Sequence, residues 1–492
     1  MTEPGLRSAS ELATAIRDRQ LSAVELLDHY LDRVERLNPA VNALVTFDLD
    51  GARARARAAD QATVAGGPLG ALHGLPCSIK DALATAGVRT TGGAVELTNN
   101  VPSADAVVVA RLAAAGANVF AKSNLPRWSG DMQAFNEMFG TTNNPWDLSR
   151  GPGGSSGGAS AAVAAGLSAF DIGTDIGGSI RGPAHLCGIC GHKPSFGIVP
   201  ALGYIDHVTA GLTEPDINVL GPLARTVDDL SLLLDVIAGP TADRAPGWRL
   251  ELPGPRASRL ADLRIAAWLD DPACPVSADT AAALDGLVGL IEGEGGTVDR
   301  SARPAIDTDA VRRVGMPLVS AATSPGRTDE EFEHFRRIAA EPAGQEPTLV
   351  MRARASAIHH RDWLLLTEER ERVREQWAQF FTRYDVLLCP VLMIPAFEHQ
   401  QEGTLYTRTL RVDGVERPYA DIIWWTILIG MAYLPSTVVP VGWTPGGLPV
   451  GVQVVGPYLG DRSTLAAARL IERLTGGYRV PPLAAGSQET TP

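Results

Sequence analysis

Between Arg150 and Arg181 the sequence carries two glycine-serine clusters a short distance apart. The first reads Arg150-Gly-Pro-Gly-Gly-Ser155-Ser156-Gly-Gly-Ala-Ser160, and the second reads Gly173-Thr-Asp175-Ile176-Gly177-Gly178-Ser179-Ile-Arg181. Glycines allow close backbone approach and unusual φ/ψ. Between the clusters, Ala159 to Ala165 has helical character and Leu167 to Ile172 reads as extended. A loop, helix, strand and second loop therefore follow in order. Serines in such loops can act as nucleophiles if a base lies near.

The base is suggested by the lysines. Of 43 basic residues, three are Lys, at Lys80, Lys122 and Lys193. Arg keeps its proton in proteins, whereas a desolvated Lys can lose it and serve as a general base. Lys80 ends the stretch Gly74-Leu-Pro-Cys-Ser-Ile-Lys80-Asp81. A short apolar strand after a Gly-Pro turn delivers Lys80 to a strand end, where open α/β sheets place their chemistry. With a bridging serine and a nucleophilic serine this makes a Ser-Ser-Lys arrangement, activated by the same logic as Ser-His-Asp.

These residues resemble the amidase signature family of serine hydrolases. The resemblance rests on Gly153 to Gly158, Gly173 to Arg181, Cys187-Gly-Ile-Cys190-Gly and Lys193-Pro. Gly74-Leu-Pro with Lys80-Asp81, Ala121-Lys122-Ser123-Asn124 and Gly447-Leu-Pro-Val-Gly451-Val-Gln453 fit as well. It spans roughly residues 8 to 475, with little motif between about 240 and 420. The family resemblance implies Lys80 as base, Ser155 as bridging serine after a non-proline cis peptide bond, and Ser179 as nucleophile. It implies an oxyanion hole from the N–H groups of Ile176, Gly177, Gly178 and Ser179. Ser156, Asp175 and Arg181 are expected to support this loop, the last two through hydrogen bonds or an ion pair.

Other readings of the glycine block fit less well. Gly153 and Gly158 have Walker spacing, but Ala159 stands where that motif needs Lys. Gly-x-Ser-x-Gly matches at Ser155 and at Ser156, yet the preceding Asn143 to Arg150 is not the hydrophobic strand of a nucleophile elbow. A flexible Gly-Ser linker would not carry a second Gly-Gly-Ser at fixed distance. None of the nine histidines sits in a motif that offers an alternative base.

Along the rest of the chain, capping boxes Ser8-x-x-Glu11 and Ser22-x-x-Glu25 open two helices. Val24, Leu27, Leu31 and Val34 continue the second, with Asn38-Pro39 as its expected stop. Strand and helix alternate to about residue 240, which predicts an α/β fold with a large mixed sheet between helices. The strands around 75–80 and 167–174 are expected to be central. From about 240 to 420 a largely helical subregion of a single 1–492 domain is expected, with Asp385 to Cys389 returning to the sheet.

A net charge of −13 disfavours nucleic acid as a partner. No apolar run reaches membrane-spanning length and the N-terminus lacks a signal peptide's core, so a cytoplasmic enzyme without a membrane anchor is expected. Five scattered cysteines do not make a disulfide framework, and Cys187-x-x-Cys190 lacks a second pair for zinc. No metal or other cofactor is expected. Trp128, Met132, Trp424, Trp425 and Leu434 are suggested as walls of an apolar substrate pocket.

The expected function is a serine hydrolase that cleaves a small-molecule amide, with esters and carbamates as further candidates, as a monomer or homodimer. One branch of the family amidates misacylated transfer RNA within a multi-subunit complex and shows Gln after the signature Arg. Here Gly182-Pro183 follows Arg181, which favours a stand-alone hydrolase. The alternatives are a member of that amidotransferase complex and a catalytically dead binding module.

Overall fold

A computed structural model describes residues 3–205, 211–405 and 407–485. Its centre is an eight-stranded mixed sheet. In order across it lie Thr297–Asp299, Arg264–Ala267, Val386–Pro390, Pro449–Val455, Ser436–Trp443, Cys190–Lys193, Val219–Ala224 and Asp171–Asp175. The first three strands run parallel to each other and the remaining pairings are antiparallel.

Side chains alternate across a strand, so an apolar strand feeds two cores. Val386, Leu388, Val439, Val452 and Val454 enter one cluster with the helices Val227–Ile237, Ala278–Gly293 and Asp461–Thr475. Leu387, Cys389, Val438 and Val455 enter the other, with helices Arg181–Cys187, His360–Arg383 and Trp424–Gly430. This two-sided burial explains strands that read as continuous apolar runs.

A second sheet holds three strands in the order Leu44–Phe47, Asn118–Ser123 and Pro76–Lys80. The strands expected to be central are thus each an edge. Pro76–Lys80 ends the small sheet, and Asp171–Asp175 ends the large one. The two edges abut. Ser78 N donates to Ser168 Oγ at 2.8 Å, and Ser78 Oγ donates to Asp171 Oδ2 at 2.6 Å. Side-chain hydroxyls and a carboxylate do here what backbone ladder bonds do elsewhere, and the site lies along this seam.

Two local expectations need correction. The helix from Ala23 does not stop at Asn38-Pro39 but runs to Val41. Pro39 gives up one helical bond, because it has no N–H for the carbonyl four residues back, and the helix closes on Asn42, at φ 52°, whose N–H returns to Asn38 O at 2.6 Å. The stretch from about 240 to 420 returns to the sheet at Val386–Pro390 as expected, but it then supplies a hairpin, Thr409–Val412 with Val415–Pro418, where helix was expected. Exposed and buried residues alternate along Thr409–Val412, the strand period of two, which the surrounding polar residues obscure. No helix among the described residues is long and apolar enough to cross a membrane.

Candidate active site

Lys80 lies at the end of its edge strand with no exposed surface. Its Nζ donates to Ser155 Oγ at 2.6 Å and to Thr174 Oγ1 at 2.7 Å. Burial brings the amine down to about 7, because the charged form loses its hydration. Asp175 and Asp171 pull in the opposite direction through space, and Lys80 makes no ion pair among the described residues. Asp81, its chain neighbour, accepts from Thr91 instead. The other two lysines are buried as well. Lys122 Nζ bonds Leu83 O and Thr85 Oγ1, and Lys193 Nζ bonds Pro194 O. Burial brings these to about 8 and about 7. A chain that meets its surface charge with Arg has kept Lys for its interior.

Ser155 follows a cis Gly154–Ser155 peptide and is fully buried, whereas Ser179 is 5% exposed. The amine is sealed from solvent, and the second serine keeps only a small exposed surface. No hydrogen bond joins Ser155 to Ser179 in this resting arrangement. Catalytic contacts are often long without substrate and tighten in its complex. Ser156 acts as a clamp between the two glycine clusters. Its N–H donates to Ser179 O at 3.2 Å, and its Oγ lies at 3.4 and 3.3 Å from the backbone O and N of Thr174.

Asp175 organises the turn that presents Ser179. It accepts from Gly178 N, Ile180 N and Arg181 N at 2.9, 3.1 and 3.3 Å. It also takes Arg181 Nε and NH2 at 3.0 and 2.8 Å. Burial alone would raise this carboxyl, but the Arg181 guanidinium beside it holds it down to about 2. Arg181 NH1 reaches on to Thr426 O at 2.8 Å and Gln453 Oε1 at 2.9 Å. The pair thus fixes the loop to the helix Trp424–Gly430 and the strand Pro449–Val455 without facing solvent.

The loop's four N–H groups are not equivalent. Gly178 N–H is taken by Asp175, so it is engaged in the turn rather than free for a ligand. Ile176, Gly177 and Ser179 N–H have no acceptor among the described residues. Gly178 has φ +119°, and a Cβ there would stand 2.6 Å from Thr426 Oγ1. Both facts demand glycine. Thr426 Oγ1 in turn donates to Gly177 O at 2.6 Å, which pins the turn from above.

The suggested pocket residues are mostly elsewhere. Trp424 and Trp425 are fully buried and pack edge-on against Trp268, with Trp425 Nε1 donating to Cys274 O. On the same helical segment, Ile423 and Thr426 face the serine loop. Ile423 Cδ1 stands 3.6 Å from the Cβ position of Gly177, and Ile423 is half-buried. The apolar run marks the segment but not which face turns to the loop. Leu434 lines a separate cavity of about 360 Å³ with Arg374, Phe381 and Tyr458. Trp128 lies over Gly92. Met132 is brought against the helix that follows Ser179, with Cε 3.1 Å from the Cβ position of Gly182. Thr174 and Thr426 escaped sequence reasoning. Thr174 had a signal, since it precedes Asp175 at the end of a strand, where side chains alternate.

The Cys-x-x-Cys segment is packed core. Cys187 Sγ contacts Pro152 O and Cys190 Sγ contacts Arg225 O. His185 lies between Ile394 O and the Gly451 backbone, and His192 between Thr437 and Asp461. Among the described residues no group of three His, Cys, Asp or Glu is placed to hold a metal ion.

The protein-family model named Amidase matches residues 25–465. A glutamyl-tRNA(Gln) amidotransferase subunit of Carboxydothermus hydrogenoformans is 32% identical, covering 96% of this chain and 98% of that protein. The solved glutamyl-tRNA(Gln) amidotransferase subunit of Thermotoga maritima aligns with a TM-score of 0.76 at 25% identity, covering 98% of each chain. A solved chain from a vestigial complex linked to the origins of an s-triazine catabolic enzyme has a TM-score of 0.79 at 26% identity, covering 96% of this chain and all of that one. A bacterial aryl acylamidase of the amidase signature family gives 0.82 at 24% identity, over 98% and 99% of the two chains, a likeness of fold. With the family model matched over most of its length and such relatives aligned from end to end, the chain belongs to the amidase signature family.

Proposed function

We propose that the protein cleaves carboxylic amides through an acyl-enzyme on Ser179, with Ser155 as proton relay and Lys80 as base. The observation that carries this reading is the Lys80 amine, buried, near neutrality and bonded to two hydroxyls, with no carboxylate partner among the described residues. Neutral Lys80 takes the Ser155 proton as Ser155 takes that of Ser179. Ser179 Oγ attacks the carbonyl carbon, and the Ile176, Gly177 and Ser179 N–H groups meet the charge that develops on oxygen. The proton returns through Ser155 to the departing nitrogen, the C–N bond breaks, and water then releases the acid from Ser179. Small, apolar or aryl amides are the proposed substrates, with esters and carbamates within reach of the same steps. Support comes from the half-buried Ile423 beside Gly177.

A second reading shares every step up to amide cleavage. The curated relatives are named as amidotransferase subunits and align over 98% of their length, which favours ammonia passed to an acceptor on transfer RNA with partner subunits. Gly182 after Arg181, in place of that branch's Gln, favours free hydrolysis. The test is turnover of an aryl anilide and of free glutamine by the isolated chain. Anilide hydrolysis, with loss on the order of 10³-fold or more in Ser179→Ala, supports the first reading. Activity confined to glutamine, and raised by glutamyl-tRNA with partner subunits, supports the second. Absence of both would sink the proposal.

A further inference from the structure

The segment between Lys122 and the first glycine cluster contains Asp131, a carboxylate that the proposed chemistry does not use. It is mostly buried, and two side chains converge on it. Arg408 makes a two-pronged pair, NH1 to Oδ1 at 3.1 Å and NH2 to Oδ2 at 2.7 Å. Tyr419 Oη donates to Oδ1 at 2.9 Å. Arg408 immediately precedes the hairpin strand Thr409–Val412, and Tyr419 immediately follows Val415–Pro418. Tyr419 N also donates to Arg408 O at 3.0 Å. One carboxylate therefore ties both sides of the hairpin's neck.

The same segment bears directly on the bridging serine. A Cβ on Gly154 would stand 2.5 Å from Asp131 O and from Gln133 N, so the 131–133 backbone lies hard against the residue before Ser155. Gln133 locks that backbone by a reciprocal amide pair with Gln400, donating to Gln400 O at 2.7 Å and accepting from Gln400 N at 2.8 Å. From Tyr419 the chain turns through Tyr419–Ile423 to Ile423 and Thr426, which contact Gly177. Rigid bidentate pairing suits a joint of this kind, because the guanidinium fork fixes orientation as well as distance.

We propose that Asp131 is a positioning residue, holding the hairpin neck, the Gly154–Ser155 backbone and the helix above Gly177 in register through Arg408 and Tyr419. It acts on the proton relay at Ser155 rather than on substrate, and the inference rests on the Ser-Ser-Lys reading above. Loss of the joint costs most where the relay must deliver a proton to a poor leaving group. An amide nitrogen needs that proton, whereas an activated ester oxygen leaves without it.

The test compares wild type with Asp131→Asn and Arg408→Lys on an anilide and a nitrophenyl ester of the same acyl group. The rate of Ser179 labelling by a fluorophosphonate is measured alongside, with thermal melting as a control of folding. Both variants are expected to lose about ten-fold or more in anilide kcat while the ester changes by less than about three-fold, a small part of what a positioned acid-base group supplies. Labelling, whose fluoride leaves without a proton, should stay within about three-fold of wild type in both. Equal losses on the two substrates, or wild-type rates in folded variants, would overturn the proposal. If Asp131→Asn fails to fold, Arg408→Lys, which keeps the charge and loses the fork, decides alone. A wild-type chain that neither labels nor turns over would instead remove the Ser-Ser-Lys reading, and this proposal with it.

Discussion

The pH dependence follows from the placement of Lys80. The base works as the neutral amine, so activity is present above the folded-state value and lost as pH falls through it. With that value at about 7, the neutral fraction climbs from about 9% at pH 6 to about 91% at pH 8. Anilide kcat/KM should therefore rise about ten-fold over this interval and level off. An ordinary lysine near 10.4 would give about a hundred-fold over the same interval, with no plateau below about pH 10. Asp171 and Lys193 are also brought to about 7 by burial, so the midpoint needs assigning. The Asp171 charge favours protonated Lys80, so Asp171→Asn should move the midpoint to lower pH. Lys193→Met should leave it in place. Lys80→Arg should abolish anilide turnover at every pH, because Arg keeps its proton. The assay is a stopped-time anilide hydrolysis from pH 5 to 10 in constant ionic strength. A flat profile over pH 5 to 9, or an active Lys80→Arg variant, would refute the assignment of the base.

Asp171→Asn should also stabilise the fold at pH 8, by on the order of 2 kcal/mol. Its folded value is raised by burial, so its contribution is full below about 3.8 and is lost as pH rises through about 7; denaturant melts should show a larger gain at pH 8 than at pH 5. Gly178→Ala places a Cβ 2.6 Å from Thr426 Oγ1 at a φ that disfavours side chains, and should cost about 2–4 kcal/mol and most of the activity. Ser156→Ala should keep anilide kcat within about ten-fold of wild type, since its hydroxyl bonds the Thr174 backbone at long range, while Ser155→Ala loses on the order of 10²-fold or more. Equal losses in the two serine variants would contradict the relay.

The sheet and its helices were legible because their periodicity is strong. Capping boxes at Ser8 and Ser22 open helices where they were expected. What sequence could not give was the seam. Pro76–Lys80 and Asp171–Asp175 read as central strands, because an edge covered by another edge is as fully buried as an interior strand. Their meeting through Ser78 and Asp171 is visible in three dimensions alone.

The site divides in the same way. Lys80, Ser155 and Ser179 stood out because rare lysines and dense glycines are unusual in any chain. The pocket did not stand out. Trp424 and Trp425 drew attention by size, yet size is what a core takes up, and the smaller Ile423 and Thr426 meet the loop. Arg408, Asp131 and Tyr419 lie nearly 290 positions apart at their extremes, and no local pattern links them.

The most direct measurement of the central claim is the site of acylation. The protein would be quenched during turnover of an activated ester, digested, and its peptides mapped by mass spectrometry. The account predicts one acyl group per chain, on Ser179, absent from Ser179→Ala and still present when Ser156 is replaced by alanine. An adduct on Ser155 or Ser156, or steady turnover by Ser179→Ala, would contradict it.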